Sequence, residues 1–325
     1  MFSAIWSQYF PPKPGFTEKD IPPGSQFGKV FIVTGANQGI GLELVKMLYP
    51  TGATIYLAGR SQERIEKAIQ QVIDSHKPEP VVPAILKHLH LDLSDLTTIK
   101  TSVAAFTAQE KKLDILWNNA GIGCNPEGTT TRQSIEGHVG INCIAPLLFT
   151  QELLPQLHEA AKNAPAGSVR VIWTGSLMIE THSPMGGIQY EFVEKGKTTN
   201  PARDYATSKV GNWYLAVEAA QRWETYGIVS VVQNPGNLLT NIYSHQPTWL
   251  MAILKLVLYN PKFGAHTLLY SGFTPDVGIA KNNGAYIRPF GHIASNGRRD
   301  IYMGIAAGEA TKFWEWCEKM YQPHI

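Results

Sequence analysis

The sequence has 325 residues, of which 44% are hydrophobic, 10% aromatic and 17% charged, and its formal net charge is +2. The hydrophobic share is enough for a sizeable core, so the composition excludes a disordered protein. The 28 basic residues nearly balance the 26 acidic ones and form no run, which argues against nucleic acid as a partner. The length fits either one large α/β domain with additions or two smaller domains.

The cysteines and the chain start indicate the compartment. Cys124, Cys143 and Cys317 form no Cys-x-x-Cys pair and cannot all be in disulfides, and the chain has no glycosylation sequon. The first ten residues lack the basic and apolar parts of a secretory signal. The longest apolar run, residues 249–259, includes Lys255 and is too short for a membrane span of about 20 residues. We therefore predict a cytoplasmic protein without a transmembrane segment.

A proline-rich leader over residues 1–28 precedes an alternation of apolar β-branched runs with amphipathic stretches. The runs predict strands at residues 29–34, 53–59, 85–91, 113–117, 169–174 and 228–233. Helices are predicted at 40–48, 62–73 and 94–106, the last capped by Ser94, and between the later strands. Repeated β-α-β units make the strands parallel, so we predict an α/β fold with a doubly wound parallel sheet.

The first predicted strand runs into Thr34-Gly35-Ala36-Asn37-Gln38-Gly39-Ile40-Gly41 and then into a helix. Glycine allows a tight turn, lets the backbone approach a pyrophosphate and lets the helix pack close to the strand. The spacing alone would occur about 0.2 times by chance, so its strand-turn-helix context carries the prediction of a Rossmann-type dinucleotide site. The alternative is an ordinary turn that contains glycines.

The end of the second predicted strand bears on the choice of cofactor. It reads Ala58-Gly59-Arg60-Ser61, without the acidic residue that would bind the ribose hydroxyls of NAD(H). Arg60 suits a 2′-phosphate, so the sequence favours NADP(H), with NAD(H) as the other option. The alternative is a solvated arginine at a helix start, with Arg64 one turn later pairing with Glu63 or Glu66.

The pattern Tyr-x-x-x-Lys occurs twice, against a chance expectation of about 0.8. Tyr9 and Lys13 are separated by two prolines, so no helix holds them together. Tyr205 and Lys209 open a long helical pattern that places both on one face. Only the second pair can act as a unit.

Further motifs follow the predicted strands. In chain order they are the glycine loop, Asp92, Asn118-Asn119-Ala120-Gly121, Asn142, Ser176, Tyr205 with Lys209, and Pro235-Gly236-Asn237-Leu238-Leu239-Thr240. Over roughly residues 28–240 this set resembles the short-chain dehydrogenase/reductase superfamily. The 29 positions from Ser176 to Tyr205 and the segment at 260–270 are most similar to the retinol-dehydrogenase-like and fungal branch.

The resemblance implies an NADP(H)-dependent oxidoreductase that interconverts a ketone or aldehyde with its alcohol, working as a ketoreductase. Tyr205 would be the acid and base, because a cation one helical turn away and the oxidised nicotinamide lower the pKa of a phenol. Lys209 would supply that cation and bind the nicotinamide ribose. Ser176 would position the substrate oxygen, and Asn142 would hold a water of the proton relay.

The resemblance also implies the residues that bind the cofactor. The phosphates would contact the backbone of Gly35, Asn37 and Ile40, in the loop that also contains Gln38, Gly39 and Gly41. The adenine would contact Asp92 and Leu93, and the ribose side would contact Asn119 and Ala120 with Gly121. The nicotinamide carboxamide would contact Pro235, Gly236, Leu238 and Thr240. Asn118 would be structural. Two positions depart from the family pattern: Gly175 stands where serine is common, and Gln38 stands where NADP users often have a basic residue.

Two other patterns have simpler interpretations. His88 and His90 alternate on a strand beside Asp92, but a zinc site needs three or four ligands and no other His/Cys cluster is near, so we predict no metal. Aromatic and apolar residues form a helical stripe in the leader, namely Phe2, Ile5, Trp6, Tyr9 and Phe10. We expect this stripe to pack on its own domain or on a partner subunit, with weak association with a membrane surface as the alternative.

Residues 242–325 are predicted to form a substrate-side extension of one domain that spans residues 29–325. Its apolar side chains would cover the site and select an apolar, medium-to-large substrate, namely Tyr243, Trp249, Leu250, Met251, Ile253 and Leu254. The alternative for this segment is a plain core helix. The family resemblance also implies that the protein forms a homo-oligomer. Rival functions are a lyase or isomerase on the same fold, and an NADP-binding scaffold or redox sensor without turnover.

Overall fold

The computed structural model of the chain describes Trp6, residues 8–239 and residues 258–325. The strands in these ranges are β1 (Val30–Thr34), β2 (Thr54–Gly59), β3 (Ile85–His90), β4 (Ile115–Asn118), β5 (Val169–Thr174), β6 (Ile228–Gln233), β7 (Tyr286–Arg288) and β8 (His292–Ile293). They form one sheet in the order β3-β2-β1-β4-β5-β6-β7-β8. All neighbours are parallel except β7 and β8. The strand order reverses between β1 and β4, which confirms the doubly wound sheet.

Helices cover both faces of this sheet. They are α1 (Gly39–Leu48), α2 (Gln62–Asp74), α3 (Ile99–Thr107), α4 (Ala145–Glu152), α5 (Leu154–Lys162), α6 (Met178–Thr181), α7 (Tyr190–Val193), α8 (Pro201–Arg222), α9 (Pro261–Phe273), α10 (Arg299–Ala306) and α11 (Glu309–Tyr321). A helical turn, Gly137–Val139, and a π-helical segment, Gly140–Ile144, lead directly into α4.

The sheet separates two apolar cores. Every position of β1, β5 and β6 is buried, as expected for strands with helices on both faces. One core joins residues of α3, α4, α8 and α11 around Trp173, and the other joins residues of α1, α2 and α9 around Trp117. The carboxyl ends of the parallel strands are therefore fixed on both sides, and these ends carry the site.

The predicted start of the third helix at Ser94 is wrong. The backbone N–H and the hydroxyl of Ser94 both donate to Asp92 Oδ1, at 2.9 and 2.6 Å, so Ser94 belongs to the turn that follows β3. Asp95 instead accepts from the N–H of Thr97 and opens a short 3-10 turn, and α3 begins only at Ile99. A carboxylate is a pure acceptor, which makes Asp95 a suitable cap at this position.

The leader packs differently from the sequence prediction. Phe2 and Ile5 lie outside the described residues, whereas Trp6 and Phe10 are 66% and 56% exposed. Their rings contact each other, with centroids 4.6 Å apart. These two aromatic side chains therefore do not pack on the domain, and the partner and membrane alternatives stay predictions. The buried leader side chain in this stretch is Gln8, at 1% exposure.

The predicted cover of the site lies outside the described residues, as does the predicted cofactor residue Thr240. The cover comprises Tyr243, Trp249, Leu250, Met251, Ile253 and Leu254. The division into a leader and one domain with a substrate-side extension also stays a prediction. Within the ranges that the structure describes, no helix combines the length and apolar character needed to cross a membrane.

Candidate active site

Thr34, the last residue of β1, ties the first strand to the end of β4. Its hydroxyl donates to the carbonyl of Trp117 at 3.2 Å and accepts from the backbone N–H groups of Asn119 and Ala120 at 3.0 and 2.9 Å. The side-chain amide of Asn119 donates back to the carbonyl of Thr34 at 2.9 Å. These bonds hold the two strand ends together at the point where the strand order reverses.

The glycines of the loop after β1 are needed sterically. Gly35 has φ +67°, and a Cβ there would lie 3.0 Å from Ala120 Cα. A Cβ at Gly41 would lie 2.8 Å from both Asn119 Nδ2 and the carbonyl oxygen of Gly35. The loop therefore packs directly on the turn after β4 and leaves the N-terminus of α1 open toward solvent and ligands.

A cleft of about 840 Å³, the main cleft, lies over the ends of β1 to β4. Its lining includes most of the predicted cofactor residues, namely Gly35, Asn37, Gln38, Gly39, Ile40, Arg60, Asp92, Leu93, Asn119, Ala120 and Gly121. The size is in the range of small-molecule and cofactor sites. The glycine loop, the end of β2, the turn after β3 and the turn after β4 thus converge on one cavity.

Two arginines form the far wall of the main cleft. Arg60 follows β2, and Arg64 lies in the first turn of α2. The alternative pairing of Arg64 is not observed, because Glu63 pairs with Lys67 at 2.6 Å and Glu66 accepts from Gln62 at 2.8 Å. Among the described residues neither arginine forms an ion pair with a carboxylate, so both guanidinium groups remain available to an anionic ligand.

Tyr205 and Lys209 lie one turn apart on α8, and both are buried. The ammonium nitrogen of Lys209 is 5.4 Å from the centroid of the Tyr205 ring. It donates to the carbonyl of Thr174 at 3.1 Å, an oxygen that also accepts from the Asn212 amide at 2.8 Å. Burial lowers the pKa of Lys209 to about 8. The lysine remains a cation at neutral pH and faces the phenol.

Asn142 lies in the π-helical segment, an irregularity that is frequent at functional sites. Its Oδ1 accepts from the N–H of Ile122 at 2.9 Å, and its Nδ2 donates to the carbonyl of Ile122 and to Ser208 Oγ at 3.0 and 2.9 Å. A Cβ at Gly121 would lie 2.9 Å from Asn142 Oδ1 and 3.5 Å from Lys209 Nζ. Gly121, which lines the main cleft, therefore adjoins both Asn142 and Lys209.

Ser176 lies directly after β5, and α8 packs against this strand and against α6. Its Oγ accepts from the N–H of Met178 at 3.2 Å, so its hydroxyl hydrogen can still be donated. The next strand end carries Pro235, Gly236 and Leu238. Gly236 has φ +97°, and its N–H donates to Asn234 Oδ1 at 3.1 Å.

The structure separates the predicted site residues into two groups. Within the described part of the chain, the main cleft is not lined by Ser176, Tyr205, Lys209, Asn142, Pro235, Gly236 or Leu238. Gly41 also does not line it, because it packs under Asn119. The side-chain amide of Asn118, predicted as structural, donates to Thr150 Oγ1 at 3.0 Å, and the backbone carbonyl of Asn118 accepts from Thr174 Oγ1 at 3.0 Å. Gly121 joins the cleft group to the group around Lys209.

A buried network of residues that no sequence motif marks lies beside Tyr205. The rings of His138 and Tyr205 are 6.1 Å apart, edge to face. His138 Nε2 accepts from the N–H of Asn125 at 3.0 Å, so Nδ1 carries the hydrogen and donates to Glu136 at 2.9 Å. Thr198 also donates to Glu136, at 2.6 Å. Although burial acts to raise it, the bonds from His138 and Thr198 hold the pKa of Glu136 below its ordinary value.

No sequence signal marked this network, because Glu136 and His138 show no recognisable spacing and Thr198 is distant in the chain.

The two strand histidines form no metal site with other described residues. The rings of His88 and His90 are 6.5 Å apart. In the described ranges no group of three or more His, Cys, Asp or Glu side chains could hold a metal ion.

The fold and the main cleft define a nucleotide-binding α/β protein of the Rossmann type. A family model described as short chain dehydrogenase matches residues 29–188. The chain is 55% identical over 322 residues to the short-chain dehydrogenase/reductase iacJ of Pestalotiopsis fici, covering 99% of this chain and 98% of the relative. It is 39% identical over 333 residues to a short-chain dehydrogenase/reductase of Phomopsis amygdali, covering 98% and 97%.

The chain belongs to the short-chain dehydrogenase/reductase family. It is therefore an oxidoreductase that uses a nicotinamide cofactor. Its fold is similar to that of the NADPH-bound carbonyl reductase from chicken fatty liver, with a TM-score of 0.60 and 24% identity over 83% of this chain and 99% of that one. The superfamily resemblance is confirmed and both curated relatives are fungal, whereas the likeness to retinol dehydrogenases stays a prediction.

Proposed function

We propose that the protein is an NADP(H)-dependent oxidoreductase that interconverts a ketone or aldehyde with its alcohol and works as a ketoreductase. One observation carries the proposal: Gly121, in the wall of the main cleft, adjoins both Asn142 and the buried cation of Lys209, which faces Tyr205. A phenol and a cation beside a dinucleotide cleft suit proton transfer at an alcohol oxygen.

The residues of the main cleft fit the cofactor. The close approach of the glycine loop to the turn after β4 leaves backbone N–H groups of Asn37 and Ile40 for phosphates. Arg60 and Arg64, without carboxylate partners in the described chain, suit the 2′-phosphate of NADP(H) better than the ribose hydroxyls of NAD(H). When bound, the nicotinamide supplies or accepts the hydride of the reaction.

Tyr205 donates the proton to the carbonyl oxygen in the reductive direction. The cation of Lys209, 5.4 Å from the ring, stabilises the negative charge that the phenolic oxygen gains. One hydrogen of its ammonium group goes to Thr174, which leaves two for the nicotinamide ribose and a relay water. Burial strengthens this interaction because water does not screen it.

Ser176 positions the substrate oxygen, and Asn142 positions the relay water. Ser176 Oγ is anchored as an acceptor by Met178 and donates its hydrogen to the substrate oxygen. The amide of Asn142 is held on both sides by Ile122, so its Oδ1 has one further lone pair for the relay water. The apolar, medium-to-large substrate class rests on the sequence of residues 243–254 alone.

The test is a carbonyl panel with NADPH. Aliphatic and aromatic ketones and aldehydes are mixed with the purified full chain, absorbance is followed at 340 nm, and the alcohol is quantified by mass spectrometry. We expect equal amounts of NADPH consumed and alcohol formed for at least one apolar carbonyl. Conversion of a compound without loss of absorbance would instead indicate a lyase or isomerase, and tight NADPH binding without any conversion would indicate a scaffold or sensor.

A further inference from the structure

The leader buries a polar side chain and exposes its aromatic neighbours. Gln8 is 1% exposed, whereas Trp6 and Phe10 are 66% and 56% exposed. Burial of a side-chain amide is unfavourable unless hydrogen bonds replace those it makes with water. The position of Gln8 therefore requires specific polar partners.

Two partners of Gln8 lie in segments that follow two different strands. Its Oε1 accepts from Asn234 Nδ2 at 2.6 Å, and its Nε2 donates to Glu180 Oε2. Glu180 lies on α6, in the segment that follows β5 and contains Ser176. Asn234 directly precedes Pro235 and lies in the segment that follows β6. One amide thus joins the segments after β5 and β6.

A second contact ties the leader to the segment after β6. The hydroxyl of Tyr259 donates to the carbonyl of Tyr9 at 3.2 Å. Tyr259 in turn pairs with this segment, since its carbonyl accepts from the N–H of Leu239 at 2.9 Å and its N–H donates to the carbonyl of Asn237 at 2.8 Å. The leader therefore contacts the Pro235 segment directly through Gln8 and indirectly through Tyr259.

Asn234 and Glu180 together require a side chain with both a hydrogen-bond acceptor and a donor, as the amide of Gln8 has. Asn234 presents a donor, and its Oδ1 already accepts from the N–H of Gly236 at 3.1 Å. Glu180 presents an acceptor, and its other oxygen accepts from the N–H of Gly297 at 3.0 Å. An apolar side chain would leave both partners unsatisfied, and a carboxylate would repel Glu180.

We propose that Gln8 is a positioning residue for the active site, although it lies in the leader. It fixes the distance between the segment that carries Ser176 and the segment that carries Pro235, Gly236 and Leu238. These segments hold the substrate oxygen and the nicotinamide carboxamide, so their spacing sets the alignment of the two reactants. The roles of these segments rest on the proposed function.

The first test replaces Gln8→Ala in the full chain and compares it with Gln109→Ala, an exposed glutamine at the end of the α3 region. With the best carbonyl of the panel, we expect kcat/KM to fall about tenfold or more in the Gln8 variant. The Kd for NADPH should change less than about threefold, because the phosphate and adenine residues lie in the main cleft. Unchanged kcat/KM in the Gln8 variant would overturn the proposal.

A pair exchange separates positioning from simple loss of stability. Gln8→Glu alone places two carboxylates together and should lower kcat/KM further than Gln8→Ala. In the double variant Gln8→Glu with Glu180→Gln, the amide at position 180 donates to the carboxylate at position 8, which also accepts from Asn234. The amide oxygen at position 180 still accepts from the N–H of Gly297, so every hydrogen bond is restored with the amide and the carboxylate exchanged. We expect the combined variant to recover most of the lost activity; a loss equal to the sum of the single variants would contradict the bridge.

A substrate-independent readout is hydrogen exchange in the NADPH-bound protein. Gln8→Ala should accelerate exchange in residues 176–181 and 234–239 together, and the pair exchange should restore protection. If the carbonyl panel shows no turnover in the wild type, the proposed function fails while this readout still tests the bridge. Protection equal to that of the Gln109 control in both segments would refute the role of Gln8.

Discussion

Lys209 holds its charge in a place where burial disfavours it. Its pKa is lowered from 10.5 to about 8, and its ammonium group donates to the carbonyl of Thr174. In the unfolded chain the lysine keeps the higher pKa, so the folded state loses stability wherever the unfolded lysine is charged. The destabilisation is full below pH 8 and disappears as the pH rises to 10.5.

Lys209→Met should therefore abolish turnover and raise stability. The shift in pKa corresponds to roughly 3 kcal/mol, and the lost bond to Thr174 offsets about 1 kcal/mol of it. We expect the cofactor-free variant to be about 1 to 3 kcal/mol more stable at pH 7 by urea unfolding, with the difference shrinking between pH 8 and 10.5. A variant less stable than the wild type at pH 7 would contradict this assignment of the charge.

The proposed preference for NADP(H) assigns the 2′-phosphate to Arg60. Arg60→Ala should raise the Kd for NADPH about 10- to 100-fold and change the Kd for NADH less than about twofold, because only NADPH carries the 2′-phosphate. The control is Lys67→Ala, an exposed cation on α2, the helix that follows Arg60, and Lys67 already pairs with Glu63. Fluorescence titration with both cofactors decides the point, and an unchanged preference for NADPH would exclude Arg60 as the phosphate-binding residue.

The sequence could indicate a position where a strand end or a helical spacing fixes it, as for Arg60 after β2 and for Tyr205 with Lys209 on α8. It was not readable where a role depends on tertiary contacts. Glu136 and His138 carry no motif, and their importance appears only once Tyr205 and Asn125 pack beside them. The alternative partners of Arg64 were likewise settled only by the observed pairs of Glu63 and Glu66.

At the scale of elements, the loop after β1 is the most constrained segment of the site. Gly35→Ala combines a left-handed φ of +67° with a Cβ 3.0 Å from Ala120 Cα. We expect about 1 to 2 kcal/mol of destabilisation and at least tenfold weaker NADPH binding, since the loop must move off the turn after β4. Gly15→Ala is the control, because a Cβ there would meet nothing within 4 Å. Wild-type NADPH affinity in the Gly35 variant would show that the close approach is not required.

The strands β1, β2, β4, β5 and β6 were predictable because burial on both faces leaves largely apolar runs, whereas β3 at the edge of the sheet is partly exposed. Competition between nearby caps displaced the start of α3, where Ser94 bonds to Asp92 and Asp95 takes the capping position. The strands β7 and β8 have three and two residues, too few for any periodicity to show. The aromatic stripe of the leader predicted an apolar contact with the domain, whereas the observed buried contact is made by the side-chain amide of Gln8.

For the whole molecule, the fold brings distant parts of the sequence to one end of the sheet. Gln8 meets Glu180 and Asn234, which are 172 and 226 residues away. Such contacts follow from topology and not from local pattern, so the sequence could indicate the doubly wound fold but not the contacts between the leader and the segments after β5 and β6. The sheet topology places Arg60, Arg64, the glycine loop and the pair Tyr205 and Lys209 at the same end of the sheet, although they are far apart in the sequence.

In the proposed reaction, Tyr205 transfers the proton in an NADPH-dependent carbonyl reduction. The most direct measurement compares the wild type with Tyr205→Phe, using Tyr226→Phe, an exposed tyrosine at 48%, as the control. We expect Tyr205→Phe to bind NADPH within about twofold of the wild type and to reduce the carbonyl at least about 1,000 times more slowly, while the control keeps full activity. A wild-type rate in Tyr205→Phe would contradict the account.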